Sequence, residues 1–313
     1  MESANLVHPR RDGSCVVCGG MSTRTLFRPR LSPGPVVRCN GCGLVYVCPV
    51  EHLEWFCHGD TPSREPTLEE QAEEEEHLSR YLSEEGRKRR NLASVLDEIE
   101  AFCPRGRLLD LGCYCGLLLD LARARGWDAI GVEPEETSRR YAVEHLGLDV
   151  FGGTLCQAAF PPDAFDVVVS LQVFEHLLNP RETLRQVTRV LRPGGLLVVE
   201  VPGIDNLGFR LLGRWHRHFA RHHLFFFNTQ ALTRLLSEAG YQVKRVVHPS
   251  RQLSLRHLAG QVGGVDTPLS ARLRRWVERL GLGTATVSIN LKDILRIYAI
   301  KVGDRQEEKN RQS

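Results

Sequence analysis

Residues 108–122 read LLDLGCYCGLLLDLA. The stretch opens as an apolar strand, turns through glycines and continues as a helix. Asp110 stands near the strand's end, and Gly112 and Gly116 bracket the turn. Glycine allows backbone angles and close approaches that other residues resist. The helix that opens after Gly116 begins with unpaired N–H groups, which suit a polar ligand. Open α/β sheets bind ligands at this carboxyl edge, beside the reversal in strand order.

The neighbouring sequence supplies the rest of such a sheet. Residues 128–134, DAIGVEP, form a second apolar strand that ends with Glu133. An acidic side chain about 20 residues past a glycine turn suits the two hydroxyls of a ribose. Residues 117–125 and 136–146 are helical in pattern, and Gly126 and Gly147 stop them. A third, weak strand precedes Leu155. FDVVVSL, residues 165–171, reads as a buried strand, and LLVVEVP, 196–202, as another. Between them runs a helix over 181–191, stopped by Arg192-Pro-Gly-Gly195. A helix over 230–239 ends at Gly240, and a strand over 241–247 follows. Strands alternating with helices predict an α/β fold with a doubly wound parallel sheet. A nicotinamide cofactor fits poorly, because its G-x-G-x-x-G turn would need glycine where Tyr114 and Leu117 stand.

Six of the ten cysteines fall in residues 1–60. Cys15-Val-Val-Cys18 and Cys39-Asn-Gly-Cys42 are two C-x₂-C knuckles, each followed by a glycine, Gly19 and Gly43. Four thiolates at this spacing can close a tetrahedral zinc site. A segment so poor in periodic apolar positions needs such a staple. Cys48, Cys57 and His58 lack the paired spacing and read as packing or surface residues. The predicted organisation is a zinc-knuckle module over 1–60, a helical bridge over 61–104, a core over 105–248 with a basic lid over 203–228, and a C-terminal region over 249–313. The bridge begins with an acidic run over 69–76, and Leu92, Val95, Leu96 and Ile99 give it one buried stripe. In the last region a basic amphipathic helix over 271–280 and a strand over 293–302 precede a polar tail.

A formal net charge of +3 does not by itself mark a nucleic-acid binder. No stretch approaches the roughly 18 uninterrupted apolar residues of a membrane span. The start, MESANLVHPRRDGSC, lacks the apolar core of a signal peptide. The expectation is a cytoplasmic protein without a membrane, whose cysteines are thiols or metal ligands.

The ordered motifs LLDLGCYCG, GVEP, FDVVVSLQVFEHLLNP, LRPGGLLVVEVP and LFFFNTQALTRLLSEAGY resemble those of class I S-adenosylmethionine-dependent methyltransferases. The resemblance covers about residues 105–248 and implies a seven-stranded Rossmann-like sheet with S-adenosylmethionine as cofactor. It places Asp110, Gly112, Cys113 and Gly116 around the methionine end, Glu133 on the ribose, Leu155 at the adenine and Gln172 where the chain passes over the cofactor. The chain departs from the pattern at Tyr114, where the family usually has glycine. The N-terminal stretch VVRCNGCGLVYVCP is similar to methyltransferases with a zinc-ribbon-like module, among them sugar C-methyltransferases, whose longer C-terminal domain has no counterpart here.

Methyl transfer needs an aligned acceptor and, for a weak nucleophile, a base. His176, in Phe174-Glu-His-Leu177 after the fourth strand, is the candidate, since histidine titrates near neutrality. Glu175 would orient it or bind an ion, and His223 is a second acid/base candidate. The pair can equally be a structural fixture of the loop. Some quinone methyltransferases hold a metal with two carboxylates and this histidine. Gln172 takes the first carboxylate's place here, which speaks against that metal. The lid segment GFRLLGRWHRHFARHHLFFFN has four arginines, four histidines and no acid. It reads either as a grip for an anionic acceptor through residues such as Arg214 and Arg217, or as ordinary covering. The acceptor expected is a small or medium metabolite, anionic or sugar-linked. Two rivals are an RNA methyltransferase that grips phosphates and a non-catalytic scaffold that binds a partner. The sequence leaves the oligomeric state open.

Overall fold

The structure is a computed structural model that describes residues 14–28, 34–48, 67–206, 209, 223–261 and 267–303. Cys57, His58 and most of the segment read as a lid, including Arg214 and Arg217, lie outside the described residues. The chain begins with β1 (Thr23–Phe27), β2 (Val36–Cys39) and β3 (Val45–Val47). Helices α1 (Leu68–Leu82) and α2 (Glu85–Glu100) follow. Next come β4 (Arg107–Leu111), α3 (Leu117–Ala124), β5 (Asp128–Glu133), α4 (Glu136–Glu144), β6 (Val150–Gly152), β7 (Phe165–Leu171), α5 (Pro180–Val190) and β8 (Leu191–Pro202). The remainder is β9 (Phe225–Phe226), α6 (Thr229–Glu238), β10 (Tyr241–Val247), β11 (Arg251–Ser254), α7 (Leu255–Gln261), α8 (Pro268–Arg279), β12 (Thr286–Ile289) and β13 (Ile294–Lys301).

The main sheet has seven strands in the order β10-β13-β8-β7-β4-β5-β6. The five strands from β8 to β6 are parallel, β13 runs antiparallel to them, and β10 pairs antiparallel with β13 and so runs in their direction. From β4 the chain winds out through β5 and β6, then returns to the other side of β4 as β7 and β8. The reversal therefore lies between β4 and β7, and it opens a crevice at their carboxyl ends. β4, β7 and β8 are apolar runs because helices cover both sheet faces.

Two buried clusters flank the sheet. On one side Val95, Leu96 and Ile99 of α2 pack with Leu108, Leu119, Val167 and Val169. The stretch read as one bridging helix is two helices that break at Ser83 and Glu84. The α1 start is fixed by a capping box between Thr67 and Glu70. The break is fixed by buried Arg87, which bonds Glu84 and reaches the Gln252 carbonyl at 2.9 Å.

The second cluster joins the N-terminal strands to the core. Leu44, Val45 and Tyr46 share it with Leu184, Leu232 and Leu235. β1, β2, β3 and β9 form one antiparallel sheet, with Val45 opposite Phe226 and Tyr46 opposite Phe225. The end of the segment read as a lid is thus a strand of the cysteine module's own sheet. α5 gives way directly to β8 at Leu191, five residues before the strand start read from the sequence, and Arg192-Pro-Gly-Gly195 lies within it as an irregularity between the pairs Phe165–Leu191 and Val167–Leu196. Among the described residues no helix is long and apolar enough to cross a membrane.

Candidate active site and cysteine cluster

The turn after β4 needs its glycines on two grounds. Gly112 and Gly116 take φ values of +72° and +78°. A Cβ on Gly112 would also meet Val173 Cγ2 at 2.5 Å, and one on Gly116 would meet Leu148 Cδ1 at 2.4 Å. The Gly112 N–H donates to the Val132 carbonyl at 2.8 Å, tying the turn to the end of β5. Cys113 turns its thiol into the core, where it would meet a Cβ on Gly131 at 2.6 Å. Only the backbone of Cys113 lines the turn.

Tyr114 adopts φ +51°, a left-handed angle uncommon outside glycine. Its N–H donates to Glu133 Oε2 at 2.8 Å. Its side chain leaves the turn for α1, where the hydroxyl meets His77 Nδ1 at 2.8 Å and the ring packs edge-on against Tyr81 at 4.9 Å. The residue that replaces the usual glycine therefore does not fill the turn. It fastens α1 over it. His77 and Tyr81 lie outside the stripe of Leu92, Val95, Leu96 and Ile99 expected to be buried on the bridge, in its acidic first part. Their spacing of four residues, which puts both on one helical face, was the available signal.

Glu133 is buried at the end of β5 and also accepts from the Glu135 N–H at 2.9 Å. Burial raises its pKa to about 7, against the lowering pull of the two backbone donors. Asp110 is buried at the end of β4, and none of the described residues offers its carboxylate a hydrogen bond. Burial, helped by the nearby Glu133 charge, pushes its pKa up to about 8. Two buried acids at one sheet edge, one of them without a donor, form a site with an unmet demand for positive charge and polar hydrogens. Leu155 lies buried just beyond β6, among Leu111 and Val132.

Gln172 follows β7 with φ +61°. Its N–H donates to the Glu200 carbonyl at 2.7 Å and its amide nitrogen to Glu200 Oε1 at 3.1 Å. Arg296 bonds Glu200 Oε2 at 2.6 and 2.8 Å and reaches Glu98 at 3.4 Å. A charged chain thus runs from the crevice through β8 and β13 to α2. A glutamate in LLVVEVP and an arginine in ILRIYAI were its traces in the sequence.

Past Gln172 the chain turns back on itself, and the His176 N–H donates to the Val173 carbonyl at 2.9 Å. The Glu175 carbonyl accepts from the N–H groups of Leu224 and Phe225, at 2.8 and 3.2 Å. Those bonds bring His223 to His176, the two rings meeting edge to face at 4.7 Å. Glu175 is fully buried beneath them, with Oε1 3.9 Å from His176 Nε2. Ligand atoms of Glu175, His176 and His223 all fall within 4.8 Å of one another. The structure brings together all three acceptor-side candidates, at the same sheet edge as Asp110 and Glu133.

The cysteines form a separate cluster. Cys15 and Cys42 lie 3.5 Å apart at Sγ, and Cys18 and Cys39 lie 3.4 Å apart. All four sulfurs fall within 4.8 Å of one another. A tetrahedron with zinc–sulfur bonds of about 2.3 Å has edges of about 3.8 Å, so the cluster has the right size. Gly19 and Gly43 take φ values of +70° and +74°, as turns beneath a metal require. Arg181 of α5 donates to the carbonyls of Val16 and Val17 and clamps the first knuckle to the core.

The Methyltransferase domain family matches residues 80–246, over half of the chain. The chain belongs to this family. The methyltransferase is similar to a protein of Mycolicibacterium smegmatis named "Probable S-adenosylmethionine-dependent methyltransferase", at 29% identity over 213 residues, 66% of this chain and 80% of that one. It is also similar to a ubiquinone biosynthesis O-methyltransferase of Bradyrhizobium diazoefficiens, at 33% identity over 98 residues. That match covers 30% of the methyltransferase and 38% of the relative's length. A SAM-dependent methyltransferase structure from Thermotoga maritima covers 72% of this methyltransferase and 97% of its own chain, with a TM-score of 0.50 and 19% identity. The fold is the seven-stranded Rossmann-like one expected, and the protein is an S-adenosylmethionine-dependent methyltransferase with a four-cysteine cluster at its N-terminal end.

Proposed function

We propose that the methyltransferase acts on a hydroxyl group of a small or medium metabolite, with His176 as the base. The observation that carries this reading is the meeting of His176 and His223 above buried Glu175, at the sheet edge that also holds Asp110 and Glu133. The O-methyltransferase relatives support a hydroxyl acceptor, although the chain spans under two-fifths of their length. The cofactor, when bound, supplies a methyl group made electrophilic by a positively charged sulfur. Glu133 would accept from its ribose hydroxyls, and Asp110 would face the positive charge of its methionine end. Gln172, held by Glu200, would border it. His176 takes the acceptor's proton, and Glu175 steadies the ring that becomes charged. His223 holds that ring edge-on and can pass the proton outward. We infer in the same way that Cys15, Cys18, Cys39 and Cys42 hold one zinc ion.

Incubating the protein with methyl-labelled cofactor and separate panels of phenols, hydroxy acids, sugars and RNA tests the reading. Label in a hydroxyl of a small compound is expected. Label in RNA would overturn it in favour of a nucleic-acid enzyme. A second reading rests on the same trio, whose carboxylate and two imidazoles can also hold a divalent cation. Turnover that disappears in a mild chelator and returns with a divalent cation, while the cysteine cluster keeps its metal, would make His176 a ligand instead of a base.

Two effects on cofactor binding follow. Glu133→Ala should weaken binding by about 1–3 kcal/mol, the range for leaving buried polar partners unpaired. Calorimetry measures it, and unchanged affinity removes Glu133 from the ribose. The second effect is a pH dependence. Asp110 and Glu133 carry folded pKa values of about 8 and about 7, above their ordinary 3.8 and 4.5. The folded protein without cofactor therefore keeps protons that the unfolded chain releases from pH 4 upward, and their contribution to stability is lost as pH rises through about 7 to 8. A positively charged cofactor prefers the ionised carboxylates, so its affinity should rise over the same interval. Melting curves with and without cofactor from pH 6 to 8.5 check both signs. A cofactor affinity that falls with pH in this range contradicts the assignment.

A further inference from the structure

The chain beyond the family match carries a feature that the methyl-transfer site does not use. Helix α8 rests on α7 through one face. Ser270 is fully buried there, Arg274 lies against Gly260, and Glu278 pairs with Arg256 at 3.2 Å. The opposite face is open. Leu269 is 51% exposed, Trp276 62% and Leu280, just past the helix, 51%. Spacings of seven and four residues put the three on one stripe. Arg272, Arg275 and Arg279 run beside that stripe at spacings of three and four, and none of them has a carboxylate partner among the described residues. Leu282, 45% exposed, extends the apolar surface past the helix end.

A tryptophan and leucines standing open to water in one patch imply a partner that removes them from it. The arginine row narrows the choice. A second copy of the chain would bring two positive rows together. A nucleic acid would satisfy the arginines but would press phosphates against the apolar stripe. A bilayer with acidic headgroups meets both demands, because its charge lies at the surface and its apolar region just below. We propose that α8 lies flat on an anionic membrane surface, with Leu269, Trp276 and Leu280 entering the interface and Arg272, Arg275 and Arg279 meeting the headgroups. Such contact is peripheral, in keeping with the lack of a spanning helix among the described residues. It is independent of which acceptor the enzyme methylates.

The test uses the full-length protein with its metal and two vesicle preparations, phosphatidylglycerol with phosphatidylcholine, and phosphatidylcholine alone. Co-sedimentation with the acidic vesicles and little with the neutral ones is expected. Binding should move tryptophan emission to the blue, and Trp276→Phe should remove that shift while the protein still binds. The R272Q/R275Q/R279Q variant should lose about 100-fold in affinity for the acidic vesicles. Trp276→Ser with Leu280→Ser should lose binding as well, with the circular dichroism spectrum unaltered. The emission shift of the unaltered protein stands even if a variant fails to fold. No binding to either vesicle overturns the proposal, and so does acidic-vesicle binding that the α8 substitutions leave intact. A concentration-dependent dimer dissolved by Trp276→Ser, or RNA binding lost with the arginines but kept in Trp276→Ser, overturns it in favour of those partners.

Discussion

His176→Ala should lower turnover by about 10²–10⁴ while cofactor affinity stays near that of the unaltered enzyme. The imidazole, on the proposed acceptor side of the crevice, packs against His223 and lies 3.9 Å from Glu175 Oε1. Of the polar residues assigned to the cofactor, Glu133 and Gln172 are held by other partners and Asp110 is buried on β4, so removing the ring leaves them in place. The loss therefore belongs to the chemical step, where a base is felt only as the acceptor's proton departs. A companion variant separates His223's two roles. His223→Phe keeps a ring against His176 and removes the titrating group. Turnover near that of the unaltered enzyme in His223→Phe would make residue 223 a support. Full turnover in His176→Ala would make the Glu175–His176 pair a fixture of the loop and remove the base assignment.

Cys39→Ser should release the zinc proposed for the cluster, open the region before residue 60 to proteases and abolish most activity. The first two effects follow from the proposed ligand set, because metal binding to such a set contributes folding free energy to the turns it closes. The third follows from β3 and β9. Loss of the knuckles frees β3, which leaves Phe225 and Phe226 without their strand partner, and His223 precedes them by two residues. The histidine pair then loses one member. The melting temperature should fall by about 10 °C or more, since each kcal/mol shifts it by about 2–4 °C at domain sizes near 150–250 residues. Metal analysis, limited proteolysis, calorimetry and a rate assay read the four effects. A metal-free protein with unchanged melting and turnover would contradict the proposed zinc site.

The parts of the fold legible in sequence were those encoded by neighbours along the chain. FDVVVSL matched β7 residue for residue because a strand covered on both faces reads as a near-continuous apolar run, here interrupted only by Asp166 and Ser170. The glycines at 112 and 116 announced their own backbone angles. The cysteine spacings announced their cluster. Contacts between distant segments were not legible. Nothing in Phe225–Phe226 shows that its partner is Val45–Tyr46, since two aromatic residues beside a basic segment suit packing against any apolar surface. Tyr114 is a related case. A bulky residue at a glycine position suggests a filled pocket, and the position of α1, which draws the side chain away, is a tertiary fact. The candidate residues on the glycine turn and after β7 were legible because they sit at strand ends. Glu200 and Arg296 were passed over because each is a single charge in an apolar run, and only the sheet order places the two strands side by side.

The pairing of β3 with β9 also orders the birth of the protein on the ribosome. The four cysteines of the knuckles can come together once residue 42 has emerged, yet the strand just after them gains its second neighbour only when Phe225 and Phe226 have been made. For the whole interval, while the α/β core is being assembled, that strand keeps an unpaired edge of the kind that invites wrong partners. Its final contact closes one of the longest loops in the chain, and contacts of this separation form late in folding. The earliest sheet among the described residues is in this sense among the last to be completed.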